Sequence, residues 1–324
     1  MTHAIVIKKT GGPDVLQWEE INVPAPKADE ISIKHTFVSL NYIDTYHRSG
    51  LYPMPLPGTI GLEAVGVISA VGDTISDLKV GDRVAYPIGP LGAYAEERTM
   101  PAHTVVKIPD TVSDETVAAI LMKACTVECL IKRIFHVGKD HTVLLQAAAG
   151  GVGLLACQWL SAIGATVIGT VSSEEKAILA KENGCTHTLN YKTEDFQKRV
   201  MEITDGKGVD VVYDSAGKDT FIKSLDCLKP RGWMVTYGNT TGPIDPISPA
   251  LLAQKGSLIL TRPTVLDYMR TREELVSATN AVFNQIEKGV LKANINQKFA
   301  LKDAATAHRA LEAGKTSGQT LLAV

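Results

Sequence analysis

From residue 142 onward, short apolar runs alternate with stretches whose apolar residues recur every three or four positions, the pattern of βαβ units around a buried parallel sheet. The runs at 142–146, 166–171, 186–190, 209–214, 234–237 and 257–261 predict six parallel strands with helices between them, the count of a doubly wound Rossmann sheet. Before this region the rhythm differs. The first 120 residues hold β-like runs broken by Gly and Pro, such as 31–38, 64–71 and 83–86, an all-β or α+β pattern. Further on, Leu275, Val276, Thr279, Val282, Phe283 and Ile286 predict one amphipathic helix over 272–286, stopped by Gly289. The tail, 294–324, holds a further helix over 302–313 and a short apolar end, expected to fold back on the N-terminal region. The chain shows neither internal repeats nor a low-complexity linker.

A length of 324 residues exceeds the usual size of one core and predicts two domains. Apolar residues make up 45% and charged residues 21%, which predicts a chain folded throughout. A net charge of −2 with interspersed signs gives no field to hold a phosphate backbone, so no nucleic acid partner is expected. The N-terminus turns basic after only four apolar residues, and no apolar run reaches the roughly 18 residues that cross a bilayer, so no membrane association and a cytoplasmic location are expected. Cys125, Cys129, Cys157, Cys185 and Cys227 contain no Cys-x-x-Cys pair, which argues against a disulfide framework or zinc ribbon and for buried thiols.

Candidate chemistry begins at residues 144–159, where a buried apolar strand passes through small residues into a helix. A dinucleotide diphosphate must approach backbone N–H groups at a helix N-terminus, and side chains there would collide with it. Gly150, Gly151 and Gly153 remove those atoms around Val152, while Ala148 stands at the first glycine position of G-x-G-x-x-G, where small size has to suffice. About 20 residues on, NAD-specific sites carry an acid that binds the ribose hydroxyls. Here Ser172 and Ser173 can donate to a 2′-phosphate and Lys176 can reach it as a point charge, which favours NADPH. Glu174 and Glu175 could take the ribose role, although their place also suits a helix N-terminus. Tyr191, after the third strand, is a candidate cover for the adenosine edge. Gly238, Asn239 and Arg262 follow the fifth and sixth strands, where such sheets meet their ligands.

The stretches Asn41-Tyr-Ile-Asp-Thr-Tyr46, Gly61-Leu-Glu-Ala-Val-Gly66, Val80-Gly-Asp-Arg-Val84 and Ala147-Ala-Ala-Gly-Gly-Val-Gly153 resemble the medium-chain dehydrogenase/reductase superfamily, and within it the zinc-free, zeta-crystallin-like quinone oxidoreductases. The resemblance covers essentially the whole chain. It implies an α/β protein with a GroES-like β-rich catalytic domain from residues 1–124 and 267–324, a Rossmann NADP-binding domain from 125–266, an active site in the cleft between them, and a homodimer formed through the strand at 257–261. It sets Asn41, Leu62 and Met122 against the positions that hold catalytic zinc in the zinc enzymes. An amide, an alkyl chain and a thioether do not supply the thiolates and imidazoles that Zn²⁺ requires. Ile43 replaces the proton-relaying hydroxyl.

Without a Lewis acid to lower an alcohol's pKa, the expected partner is an easily reduced conjugated acceptor, a quinone taking hydride or electrons from NADPH. The resemblance places Asn41, Tyr46 and Tyr52 along the acceptor and Thr126 near the nicotinamide. Asp44 is expected to orient its neighbours, Glu63 to stand behind the site, and Lys123 reads as a solvated helix residue. Reduction of the C=C bond of an alkenal or enone, with Tyr46 or Tyr52 as proton donor, is the alternative. A non-enzymatic crystallin-like or RNA-binding role is a further alternative, disfavoured by the lack of a basic run or aromatic RNA-binding motif.

Overall fold

In a computed structural model, which describes residues 2–324, the chain divides into two units. Unit 1 takes in the described residues up to Met122 together with Arg270–Glu287 and Lys292–Val324; unit 2 holds Lys123–Met269 and Lys288–Leu291. Unit 1 begins with β1 (Thr2–Ile7), β2 (Gln17–Ile21), β3 (Glu30–Ser39), α1 (Tyr42–Ser49), β4 (Gly58–Thr59), β5 (Ala64–Val71), β6 (Arg83–Tyr86), β7 (Glu97–Pro101) and β8 (Val106–Lys107). Antiparallel pairing links β3 to both β5 and β7, β5 to β6, and β6 to β8. Ile31, Ile33, Ile68, Val84, Tyr86 and Tyr94 pack in its core. Helix α2 (Asp114–Glu128) leads out of unit 1 and runs into a π-helical turn, Cys129–Ile134.

Unit 2 alternates as the sequence pattern predicts: β9 (Thr142–Leu145), α3 (Gly151–Ile163), β10 (Thr166–Val171), α4 (Glu174–Glu182), β11 (His187–Asn190), α5 (Phe196–Ile203), β12 (Val209–Asp214), α6 (Phe221–Asp226), β13 (Leu228–Thr236), α7 (Ala250–Gln254) and β14 (Ile259–Thr261). All pairings are parallel, in the order β11-β10-β9-β12-β13-β14. The order reverses between β9 and β12, which makes the carboxyl ends of the strands there the expected ligand side. Two strand starts differ from expectation by two residues or more. β13 starts at Leu228 rather than at residue 234, because Leu228 pairs with Val209 across a register shift that the polar residues 229–232 hide. β14 starts at Ile259 rather than at residue 257, because Ser257 still turns at φ 56°.

The chain returns to unit 1 through α8 (Arg272–Glu287), whose Leu275, Ala278, Thr279, Val282 and Phe283 are buried, and Gly289 follows at φ 71°. β15 (Ile295–Ala300), α9 (Ala304–Glu312) and β16 (Gln319–Ala323) complete it, with a 3-10 turn taking the first residues of the helix expected over 302–313. β16 pairs antiparallel with β3, Leu322 opposite Val38, so the tail does fold back on the N-terminal strands. Sequence periodicity missed α1 because the residues it buries, Asp44, Thr45, Tyr46, His47 and Arg48, are consecutive and largely polar, so they circle the helix instead of marking an apolar face. All five cysteines are buried free thiols, and burial pushes Cys129 and Cys227 up to about 12. Among the described residues no helix is long and apolar enough to cross a membrane.

The β3–β5 pairing depends on Gly66, where a Cβ would lie 2.2 Å from the Lys34 carbonyl oxygen. Gly66→Ala should therefore lose about 1–3 kcal/mol by overpacking, read as a lower midpoint in thermal or urea unfolding. An unchanged midpoint would show that the two strands can separate without penalty.

Candidate functional site

The glycine turn of unit 2 is built by close approach. Ala147 adopts φ 59°, unusual for a residue with a Cβ. Its N–H donates to Thr170 Oγ1 at 3.2 Å, and the next N–H, of Ala148, donates to the Thr170 carbonyl at 2.9 Å. A Cβ on Gly153 would lie 2.3 Å from the Ala147 carbonyl oxygen, so only glycine lets the first turn of α3 pack beneath this peptide. The alanine at the first glycine position has a counterpart on the next strand. A Cβ on Gly169 of β10 would lie 2.5 Å from the Ala148 Cβ, so Gly169 supplies the space that residue 148 does not. Gly150 is the N-cap of α3; no side chain caps the helix and its first turn holds no acid, which fits an incoming phosphate. At the end of β13, Thr236 Oγ1 is buried without a hydrogen-bond partner among the described residues, and Arg262 donates to the Thr236 carbonyl at 3.2 Å. Gly238 and Asn239 follow, where a Cβ on Gly238 would meet the Ser215 carbonyl oxygen at 2.3 Å.

The ends of β10 and β11 emerge side by side, Val171 opposite Asn190. Ser172 and Ser173 follow one strand, Tyr191 and Lys192 the other. Ser173 caps α4, accepting the Lys176 N–H at 3.3 Å, and its hydroxyl holds the Glu175 carboxyl below the ordinary carboxylate range. Burial first, and the Lys192 ammonium second, hold Lys176 below the ordinary lysine range. Two cations thus share this rim. Sequence reasoning missed Lys192, whose only signal was its place beside Tyr191 on the neighbouring strand. Tyr191 is 51% exposed. Thr126 is half-buried on α2, whereas Lys123 on the same helix is buried rather than solvated, one turn before it.

In unit 1, Asn41 begins α1. Its backbone N–H donates to Asp44 Oδ2 at 2.9 Å, and its Nδ2 donates to Glu63 Oε2 at 2.8 Å. Glu63 Oε1 in turn accepts the Met122 N–H at 2.7 Å. Positions 41 and 122 therefore meet on one buried carboxylate next to Leu62. That contact fixes which way the Asn41 amide faces. Tyr46 is buried, with its ring centroid 5.6 Å from Tyr42 and 5.2 Å from Tyr52, so the two candidate tyrosines belong to one aromatic cluster.

A second buried chain runs behind Asp44. Tyr94 Oη lies 3.0 Å from Asp44 Oδ2 and 3.1 Å from His308 Nε2, and Arg48 Nη1 lies 3.0 Å from His308 Nδ1. A guanidinium can only donate, so His308 accepts at Nδ1 and carries its proton on Nε2. Tyr94 must then accept from His308 and donate to Asp44. The direction of every bond follows from Arg48, whose charge is met by Glu312. Burial, then the Arg48 charge, lower His308 to about 3. Nearby His35 is lowered to about 4 by burial, with Nδ1 against the Ala95 carbonyl at 2.7 Å.

Comparison with known proteins gives two family matches: Alcohol dehydrogenase GroES-like domain over residues 27–110 and Zinc-binding dehydrogenase over residues 151–283. The chain is 46% identical over 323 residues to a quinone oxidoreductase of Pseudomonas aeruginosa, covering 99% of each chain. It is 43% identical over 330 residues to a 2-haloacrylate reductase of a Burkholderia species, again covering 99% of each. Among solved structures it is similar to Escherichia coli quinone oxidoreductase complexed with NADPH, with a TM-score of 0.98, 45% identity and complete coverage of both chains. Among the described residues no three His, Cys, Asp or Glu side chains gather into a metal-binding group.

The buried imidazoles of His35 and His308 make stability depend on pH, and burial holds His47 below the ordinary histidine range in the same sense. The folded pKa values of His35 and His308, about 4 and about 3, lie below the ordinary histidine value of 6.5, so at intermediate pH the unfolded chain binds more protons. Stability is full above the unfolded pKa and falls as pH drops toward the folded values, with a slope approaching about 2–3 kcal/mol per pH unit near pH 5. Urea unfolding at several pH values between neutrality and pH 5 measures it. A flat profile would mean that both imidazoles accept protons in the folded chain.

Proposed function

The chain belongs to the zinc-free quinone oxidoreductases of the medium-chain dehydrogenase/reductase superfamily, and from that membership we propose that it is an NADPH-dependent quinone reductase. When bound, NADPH supplies a hydride to an electron-poor acceptor. On the chain's side, the N–H groups of Gly151, Val152 and Gly153 meet the diphosphate, with Gly150 keeping the approach clear and Ala148 packed behind the turn against Gly169. Ser172 and Lys176, joined by Lys192, hold the 2′-phosphate, Ser173 shapes the rim by capping α4 and holding Glu175, and Tyr191 lies along the adenosine. Thr126, Gly238, Asn239 and Arg262 serve the nicotinamide end.

The observation that carries the choice of acceptor is the cluster at Asn41, Glu63 and Met122. Glu63 spends its lone pairs on two N–H donors, and the side chains at 41, 62 and 122 are an amide, an alkyl chain and a thioether. This donor set orients a neutral N–H toward a ligand and does not activate an alcohol, which suits an acceptor whose own conjugation drives reduction. Asn41 donates to the acceptor oxygen as negative charge develops there, and Tyr46 and Tyr52 offer flat faces to its ring. The likeness to a 2-haloacrylate reductase supports a second reading, reduction of an activated C=C bond. A homodimer and a cytoplasmic location complete the proposal; β14 ends the strand order of its sheet, and Ile259 on it is 39% exposed.

NADPH should bind more tightly than NADH. Lys176→Glu and Lys192→Glu should each reduce that preference about tenfold or more, the worth of a charge-assisted hydrogen bond. Titration of both cofactors by fluorescence checks this, and an unchanged ratio would remove both lysines from the phosphate site. Turnover of a benzoquinone, a phenanthrenequinone and an alkenal decides between the acceptors. Rapid alkenal reduction with inert quinones would sink the quinone reading.

A further inference from the structure

Asp214 ends β12, is fully buried, and belongs to no motif of the glycine turn. Four donors converge on its carboxyl group. Oδ1 accepts the N–H groups of Ala216 at 2.8 Å and Gly217 at 3.0 Å, and Oδ2 is met by the hydroxyls of Thr220 at 2.7 Å and Ser224 at 3.1 Å. Burial raises the Asp214 carboxyl above its ordinary range, but all four donors oppose it and leave no lone pair for a proton, so both hydroxyls donate to a carboxylate.

The direction of a longer chain follows. Because the Ser224 hydrogen is committed to Asp214, its oxygen accepts, and the amide of Gln146 must present Nε2 to it at 3.1 Å. Gln146 Oε1 then faces Thr170, whose hydroxyl donates at 2.6 Å. With its own hydrogen so placed, Thr170 Oγ1 is left to accept the N–H of Ala147, the residue at φ 59° that opens the glycine turn. Gln146, Thr170 and Ser224 are all buried, so no solvent competes along the chain.

The other carboxylate oxygen governs a second segment. By holding Ala216 and Gly217 it sets the turn after β12, which in turn accepts the Thr240 N–H at Ser215 O, 3.2 Å, and the Thr241 N–H at Ala216 O, 2.9 Å. These residues directly follow Gly238 and Asn239. We propose that Asp214 is a positioning residue for the cofactor, setting the glycine turn and the Gly238–Asn239 segment together through one buried, one-directional hydrogen-bond chain. The inference rests on the cofactor reading above and goes past it, since it assigns cofactor affinity to a carboxylate that need not touch the ligand.

The test compares NADPH dissociation constants, measured by fluorescence titration, with steady-state constants for a benzoquinone. Asp214→Asn presents one acceptor oxygen in place of two and should raise the NADPH dissociation constant about tenfold or more, while kcat at saturating NADPH and the quinone KM stay within about twofold. Ser224→Ala and Thr170→Val break the chain at later links with little change in volume and should weaken NADPH binding in the same way. Thr170→Ser keeps the hydroxyl and should restore wild-type affinity. If Asp214→Asn does not fold, these milder variants carry the test. Wild-type NADPH affinity in folded Asp214→Asn, or in both Ser224→Ala and Thr170→Val, would overturn the proposal, as would a loss confined to kcat. A wild-type chain that binds no NADPH would overturn the cofactor reading and this inference with it.

Discussion

The left-handed backbone at Ala147 is the constraint on which the cofactor half of the molecule depends. An alanine in that region costs about 1–2 kcal/mol relative to ordinary backbone, so something must hold it there. Thr170 does so with two acceptors, its hydroxyl and its carbonyl oxygen, on consecutive N–H groups. The Ala147 carbonyl is thereby turned toward α3, and accepts the Gly150 N–H at 3.0 Å. Gly153 passes beneath it only because it has no side chain. The orientation of the α3 N-terminus, and with it the direction from which a phosphate meets backbone N–H groups, follows from these contacts.

Both units use the same device to orient neutral groups inside the protein. A buried chain of hydroxyl, amide and imidazole groups can in principle run either way, and two near-equal arrangements would blur the site. An ion at one end removes the choice. In unit 1 the guanidinium of Arg48 can only donate, which settles the His308 tautomer and the Tyr94 hydrogen. In unit 2 the carboxylate of Asp214 can only accept, which settles Ser224, Gln146 and Thr170. Neither chain is suited to carry protons through the protein, since Arg48 does not release one and Asp214 is already saturated with donors.

The parallel sheet was readable because strands buried on both faces are written as continuous apolar runs, and the helix Arg272–Glu287 because its period is unbroken. The glycine turn was readable for a related reason, as a local sequence with a local backbone requirement. What escaped is long-range. Gly169 compensates for Ala148 from another strand, Lys192 joins Lys176 through the pairing of β10 with β11, and Tyr94 and His308 reach Asp44 from distant parts of the chain. Helix α1 was invisible to hydrophobic periodicity because the consecutive residues it buries are largely polar. Asn41 was found through family resemblance; its fixation by Glu63 required the fold.

The burial of all five thiols acquires a chemical meaning beside the proposed substrate. Quinones are electrophiles that add to thiolates, and a thiolate at the surface would be arylated by the compound the protein is there to reduce. Here every thiol lies inside; Cys129 and Cys227 are pushed up to about 12 and stay protonated, whereas Cys185, held below the ordinary thiol range by its hydrogen bond with Cys157, is protected by burial alone. A molecule that works among such electrophiles therefore exposes no thiol of its own. Its working life would be limited by unfolding, which uncovers the sulfurs, rather than by covalent damage to the folded state.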